Sequence, residues 1–362
     1  MITSLYTIAI LGFLLACVSI LALRPLAVHW GMLDSPGGRK NHQGDVPLVG
    51  GIGIFVAVVA SLLLLQPSEW PLASFIAVSS VLLAIGLADD AADHDSPRLR
   101  FLFQGVAALI MIYGGGVVLH DLGRIGDGVT VVELGWLAVP FTVFAAVGFV
   151  NALNMIDGMD GLAGSVAFTA AAAMAFFALR AGDLSSAMVL FPLAAGILGF
   201  LLFNWRFSPQ HSARVFLGDA GTLFLGGALC WFAIQLSQGD APAMTPVTAL
   251  WLFAVPLIDT VSMMIRRILK GRSPFSADRE HFHHLLLLAG LSEREAVLLI
   301  LLLSVACAGV GILGDIYGVS ETWLFYLFLG LGFFHLLLLR HAWKTMRLLR
   351  QGREFLVLLL GR

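Results

Sequence analysis

A chain of 362 residues that is 59% hydrophobic and only 12% charged, with mean hydropathy +0.92, lies far from soluble proteins, in which about a quarter of residues are charged. The composition excludes a soluble globular protein and gives no reason to expect a nucleic-acid partner. The net charge of −2 adds little.

Eleven apolar runs approach the roughly 20 residues that cross a bilayer as a helix: 3–23, 49–66, 71–88, 101–119, 133–150, 163–180, 185–204, 219–237, 247–265, 296–314 and 322–340. In lipid each must satisfy its own backbone polar groups, so the expected fold is an all-α integral membrane protein, a polytopic bundle of about 11 transmembrane helices. The expected division is one transmembrane catalytic domain over 1–345 and a basic cytoplasmic tail over 346–362. Arg24-Pro25 follows the first run without a small-residue cleavage site, so that run reads as retained. With eleven spans, Arg124 and Arg180 fall in one set of loops and the other 19 of the 21 Lys and Arg fall in the opposite set. The positive-inside rule then puts the N-terminus in the periplasm and the C-terminus in the cytoplasm. Cys17, Cys230 and Cys307 all lie in apolar runs and read as core residues, with no disulfide or metal spacing.

Along the chain, the polar chemistry gathers in the loops on the basic side. Lys40 lies in the first of them, either as a juxtamembrane charge for anionic lipid or as a ligand contact, ahead of Gly50, Gly51 and Gly53, which suit close helix packing. The third run ends in Asp89-Asp90, with Asp93 one turn further on. Like charges this close repel unless a divalent cation or a cationic partner is present.

The densest stretch is Asn151-Ala-Leu-Asn154-Met-Ile-Asp157-Gly-Met-Asp160-Gly161. Its Asn and Asp recur every third residue, which at a helix terminus places each beside its predecessor. The oxygens suit a hard cation, a phosphate held through that cation or the amide edge of a base; a polar turn with Asx caps is the plainer alternative. Asn204 closes the seventh run. Asp219, between Gly218 and Gly221, reads equally as a ligand or as an acidic first-turn residue favoured by the helix dipole. Asp259 sits inside an apolar run, where an ionised group is costly and is by default functional or partnered. The longest basic loop, 266–294, carries Arg267, Asp278, His281, His283 and His284, a set suited to phosphate recognition.

Together, Asp89-Asp90-x-x-Asp93, the 151–161 run, Phe216-Leu-Gly-Asp219 and His281-x-His283-His284 resemble the polyprenyl-phosphate N-acetylhexosamine-1-phosphate transferase family, over about 1–345. Arg39-Lys40-x-His42-Gln43-Gly44 with Pro47-Leu-Val-Gly-Gly51, Pro246-Val-Thr-Ala-Leu-Trp251 and Ser273-Pro-Phe-Ser-x-Asp278-Arg279 are similar to its UDP-GlcNAc-using branch. The pattern departs at Phe282, where Ile is more usual; the flanking histidines are kept.

The resemblance implies that a phosphate oxygen of undecaprenyl phosphate attacks the sugar-linked phosphorus of UDP-GlcNAc. UMP leaves, undecaprenyl-diphospho-GlcNAc forms, and the C1–O bond stays intact. A reaction of this kind begins O-antigen and enterobacterial common antigen synthesis at the bacterial inner membrane, with the site on the cytoplasmic face. The resemblance further implies Mg²⁺, with Mn²⁺ as a substitute, at Asp219 and Asp90. It makes Asp89, Asp90, Asp157, Asp160 and His281 catalytic. It makes Lys40, Asn151, Asn154, Asn204, Phe216, Arg267, Asp278, His283 and His284 substrate-binding, with Asp160, Asn204 and Phe216 at the uracil. Asp89 is the candidate base, although an acceptor phosphate with a second pKa of about 6 needs little help. A homodimer is left open. Two competing readings are an Asp-rich prenyltransferase, for which the His loop has no role, and a proton-coupled transporter, for which only Asp259 lies clearly at mid-membrane.

Overall fold

Thirteen α-helices form in a computed structural model that describes residues 2–35, 44–65, 70–91, 97–207, 212–274 and 281–341. Lys40, Asp93, Asp278 and the basic tail lie outside these residues. The helices are α1 (Ile2–Trp30), α2 (Gly50–Leu65), α3 (Leu72–Ala91), α4 (Pro97–Gly115), α5 (Ala138–Ile156), α6 (Leu162–Ala181), α7 (Leu184–Asn204), α8 (Gly218–Gln235), α9 (Pro246–Leu252), α10 (Ala254–Leu269), α11 (Phe282–Leu288), α12 (Glu293–Ile316) and α13 (Glu321–Arg340). Beyond them, Leu33–Asp34 pairs antiparallel with Val46–Pro47.

Each expected apolar run holds a helix, and local chemistry marks several of the starts. Asp183 accepts the Ser186 N–H at the head of α7, Thr245 caps α9 with Pro246 behind it, and Ser292 with Glu295 forms a capping box on α12. The ninth run is broken at Phe253 into α9 and α10, which meet at 84°. Pro256 favours the break, since it has no N–H for the carbonyl of Leu252, although α1 and α7 run on through Pro25 and Pro192.

The chain is therefore an all-α polytopic membrane protein. Seven helices among the described residues are long and apolar enough to cross a bilayer, or eight if the bent α9–α10 pair is one span. The short α2, α4 with its opening Arg98 and Arg100, and α8 are not among them. The physical reason for α8 is its setting: Ala220 through Ile234 are all buried, and the helix packs against α2, α3, α5 and α6. A helix enclosed by protein does not have to be apolar toward lipid.

Close approach around α8 depends on small residues. A Cβ on Gly221 would lie 2.7 Å from Gly51 Cα, one on Gly51 would strike the Gly221 backbone, and one on Gly86 would strike the Ala220 backbone. Lipid offers no hydrophobic drive between helices, so contact of this kind holds the bundle together. Gly51→Val is expected to destabilise the protein by about 3 kcal/mol, read as a lowered melting temperature in detergent; an unchanged transition would show that α2 and α8 can move apart freely.

Candidate active site

The ends of α3, α4 and α5 meet the start of α8. Gly218, at φ +75°, begins α8 in a conformation that favours glycine, and a Cβ there would sit 2.6 Å from Asp90 Oδ2. The space is taken by the Asp90 carboxylate of α3, which accepts the N–H groups of Asp219 and Ala220 at 2.8 and 3.1 Å. Asp90 thus caps the first turn of α8 from another helix and fixes the turn that carries Asp219.

Asp219 is held from two sides. Asn154 of α5 donates to its Oδ1 at 2.7 Å and to Thr222 Oγ1 at 2.8 Å. Arg100 of α4 donates through Nη2 to Asp219 Oδ2 at 2.8 Å, through Nε to Asp89 Oδ2 at 2.7 Å, and through Nη1 to Asn154 at 3.3 Å. The cationic partner demanded by the Asp89–Asp90 pair is thus present as Arg100. Sequence reading missed it, because an arginine just ahead of an apolar run passes for a juxtamembrane charge; the pointer was an acidic pair with no cation of its own.

The three-residue spacing of Asn151, Asn154, Asp157 and Asp160 does not produce one cluster, because α5 ends at Ile156 and the chain turns. Asn151 bonds Gln104 of α4 at 2.7 Å. Asp157 faces the site with its side chain exposed to the cavity. The surrounding mass of protein, and then the charges of Asp219, Asp160 and Asp90, raises its carboxyl pKa. Asp160 turns away, accepting from Arg206 Nε at 2.6 Å and Ala213 N–H at 3.0 Å, while Arg206 also pairs with Glu293 at 2.7 Å. Asn204 is a clamp: its Oδ1 accepts the Gly161 N–H at 2.6 Å and its Nδ2 donates to Val215 C=O at 2.9 Å. Phe216 is tied by its backbone to Pro47 and Gly50. Asp160, Asn204 and Phe216 therefore share one knot beside the site.

The histidine loop closes over the 157–161 turn. His283, 3% exposed, lies where a Cβ on Gly158 would strike its ring, so the glycine gives way to the histidine. Its ring is parallel to that of His281 at 5.8 Å and 4.2 Å from that of His284. Burial first, then the charge of His284, lowers its pKa to about 3. His283 is therefore neutral at pH 7 and brings no positive charge to a phosphate. Arg267, buried in α10, donates to Pro274 C=O at 2.7 Å and so also shapes the turn beyond α10.

Some of these groups open on a cavity of about 1010 Å³, at the upper end of the usual range for small-molecule sites of roughly 300–1,000 Å³. Its polar end is lined by Arg100, Asn151, Asn154, Asp157, Arg267, His281, His283 and His284, and its remaining walls, among them Leu119, Leu122, Phe141, Phe144, Phe149, Ile234 and Leu250, are mainly apolar. Asp89, Asp90 and Asp219, held behind Arg100 and Asn154, do not line it, nor do Asp160, Asn204 and Phe216. Phe253, at the break, stacks on Phe149 at 4.3 Å. Arg100 and the end of α4 at Gly115 are separated by about 22 Å of helix rise, so the cavity runs from the charged end of the bundle to the 116–134 loop.

The donors at the charged end suit a hard cation in kind, being oxygens of Asp219, Asp90, Asp157 and Asn154. Among the described residues no three acidic, His or Cys side chains converge as a finished metal site. Arg100 instead supplies positive charge to Asp89 and Asp219.

The pattern of glycosyl transferase family 4 matches residues 72–237. Over nearly the whole chain, the protein is similar to undecaprenyl-phosphate alpha-N-acetylglucosaminyl 1-phosphate transferases. That of Haemophilus influenzae is 41% identical over 94% of this chain and 96% of the relative. That of Pasteurella multocida is 38% identical over 95% and 96%, and that of Escherichia coli K12 is 34% identical over 94% and 93%. The chain belongs to glycosyl transferase family 4. The matched stretch holds Asp89, Asp90, Arg100, the 151–161 run, Asn204 and Asp219; Arg267 and the histidine loop lie beyond it.

Proposed function

We propose that this protein transfers GlcNAc-1-phosphate from UDP-GlcNAc to undecaprenyl phosphate, releasing UMP and leaving undecaprenyl-diphospho-GlcNAc. The observation that carries the reading is the single cavity that joins a carboxylate–arginine–histidine end to a long apolar interior. A diphosphate donor needs the first, and an isoprenoid acceptor needs the second. Full-length similarity to transferases named for this reaction supports it.

Phosphoryl transfer asks for positioning and charge neutralisation rather than covalent help from the protein. Arg100 and Arg267 would bind phosphate oxygens, and His281 would present a ring nitrogen to the donor. Mg²⁺, or Mn²⁺ in its place, would be held by Asp219, with Asp90 and Asp157 beside it, and would neutralise charge on the diphosphate. Asp89, already paired with Arg100, orients that guanidinium. Asp160, Asn204 and Phe216, knotted behind the 157–161 turn, would shape the side nearest the uracil from outside the cavity lining. The test is release of UMP by purified protein given undecaprenyl phosphate and UDP-GlcNAc, compared with UDP-GalNAc and UDP-glucose. Lipid-dependent UMP release with UDP-GlcNAc is expected; its absence in the presence of Mg²⁺ would overturn the assignment.

The finer topology belongs to the same reading: eleven membrane passes in one catalytic domain, N-terminus periplasmic, and the charged end of the cavity cytoplasmic, where nucleotide sugars are made. Arg180 pairs with Asp315, and Thr322 bonds the Arg124 carbonyl, so the two arginines set apart by the charge count belong with the α12–α13 turn. In a background without Cys17, Cys230 and Cys307, a cysteine at Ser212 is expected to resist a membrane-impermeant thiol reagent in intact cells and to react in inverted vesicles. One at Ser320 is expected to do the reverse. Labelling of Ser212→Cys from outside would reverse the orientation and remove access to a cytoplasmic donor.

A further inference from the structure

Asp259 is not among the residues lining the large cavity, yet it is a carboxylate 4% exposed inside α10, where an unpartnered charge is costly. Both of its oxygens are engaged. Oδ2 lies 2.8 Å from His281 Nδ1, and Oδ1 accepts the Phe282 N–H at 3.1 Å. A second histidine, His335 of α13, approaches Oδ1 to 3.6 Å through Nε2. Asp259 and His335 line a separate, mainly apolar cavity of about 170 Å³, whereas His281 lines the large one. The His281 ring is a partition: one edge meets a buried carboxylate, and the Nε2 edge is left for the large cavity.

An ionised carboxylate only accepts hydrogen bonds, so the 2.8 Å contact puts a proton on Nδ1. The bond from Phe282 N–H holds that carboxylate against the backbone next to His281 itself, so ring and carboxylate cannot drift apart. We propose that Asp259, backed by His335, is a positioning residue that holds His281 with its proton on Nδ1 and presents Nε2 to the donor diphosphate. This rests on the reading of the large cavity as the donor site. With Nδ1 committed, Nε2 is the one ring atom left for a bound ligand: it donates to a phosphate oxygen when the ring carries its second proton, as the imidazolium that the Asp259 carboxylate favours, and accepts a proton otherwise. Removing the partner that orients a metal-bound histidine from behind costs roughly 10- to 100-fold, and the same order is expected here.

Two measurements test the proposal. In UMP-release kinetics, Asp259→Asn is expected to lower kcat about 10- to 100-fold with KM for UDP-GlcNAc within about threefold, while costing less than about threefold more in a His281→Gln background. An equal cost in both backgrounds would make Asp259 a structural residue and overturn the proposal, as would a loss below threefold in the single variant. If His281→Gln alone is near wild type, the donor-site reading of His281 fails instead, which separates the two failures. The second measurement needs no variant to fold at position 259: magic-angle-spinning NMR of histidine-¹⁵N-labelled wild type in lipid, with the His281 signals identified by their loss in His281→Gln. A protonated Nδ1 is expected, and a resting ring with its single proton on Nε2 would overturn the assignment.

Discussion

Asp219→Asn is expected to lower UMP release at least a thousandfold, about 4 kcal/mol of transition-state stabilisation, with the melting temperature within a few degrees of wild type. The asymmetry follows from how Asp219 is held. Asn keeps an oxygen for the Asn154 amide, and Asp90 continues to fix the start of α8 through backbone N–H groups, which the substitution does not touch. What is lost is the negative charge that meets Arg100 and would hold Mg²⁺. An electrostatic contribution made where phosphoryl charge develops carries more of the rate than of the fold. Turnover near wild type would remove Asp219 from the metal site. A collapsed melting transition would make it a structural partner of Arg100 instead.

Much of the helical frame was legible because apolar runs near bilayer length leave the backbone few alternatives. The break at Phe253 was legible in principle from Pro256, but a run of apolar residues hides it unless the missing N–H is traced to its carbonyl partner. The enclosed position of α8 was not legible: hydropathy describes a helix against lipid, and α8 faces protein on every side. At the site, residue types and loops were readable, but partners were not. Asp219 and Arg100 are 119 positions apart, and Asp160, one step beyond Asp157 in the three-residue pattern, ends on Arg206 because the helix stops before it. Three histidines in one short loop looked like three phosphate donors. Burial makes His283 a neutral ring that keeps one N–H donor, and Asp259 holds His281 from behind while His281 still lines the large cavity.

Arg100→Ala is expected to lower kcat/KM for UDP-GlcNAc about a hundredfold, roughly 2.7 kcal/mol, and at the same time to lower the Mg²⁺ concentration giving half-maximal rate. One guanidinium spans Asp89, Asp219 and Asn154 at 2.7, 2.8 and 3.3 Å, so it both assembles the carboxylates and competes with a cation for them. Without it the carboxylates repel one another and bind Mg²⁺ more readily, but the donor diphosphate loses a planar, two-pronged partner. Arg100→Lys separates the two roles. Its compact ammonium keeps the charge but cannot reach three acceptors in the fork geometry, so about a tenfold loss of kcat/KM is expected, with the Mg²⁺ requirement close to wild type. If instead Arg100→Ala leaves kcat/KM intact and only lowers the melting temperature, Arg100 is a structural counter-ion for Asp89, and the donor phosphates must be met by Arg267 and His281 alone.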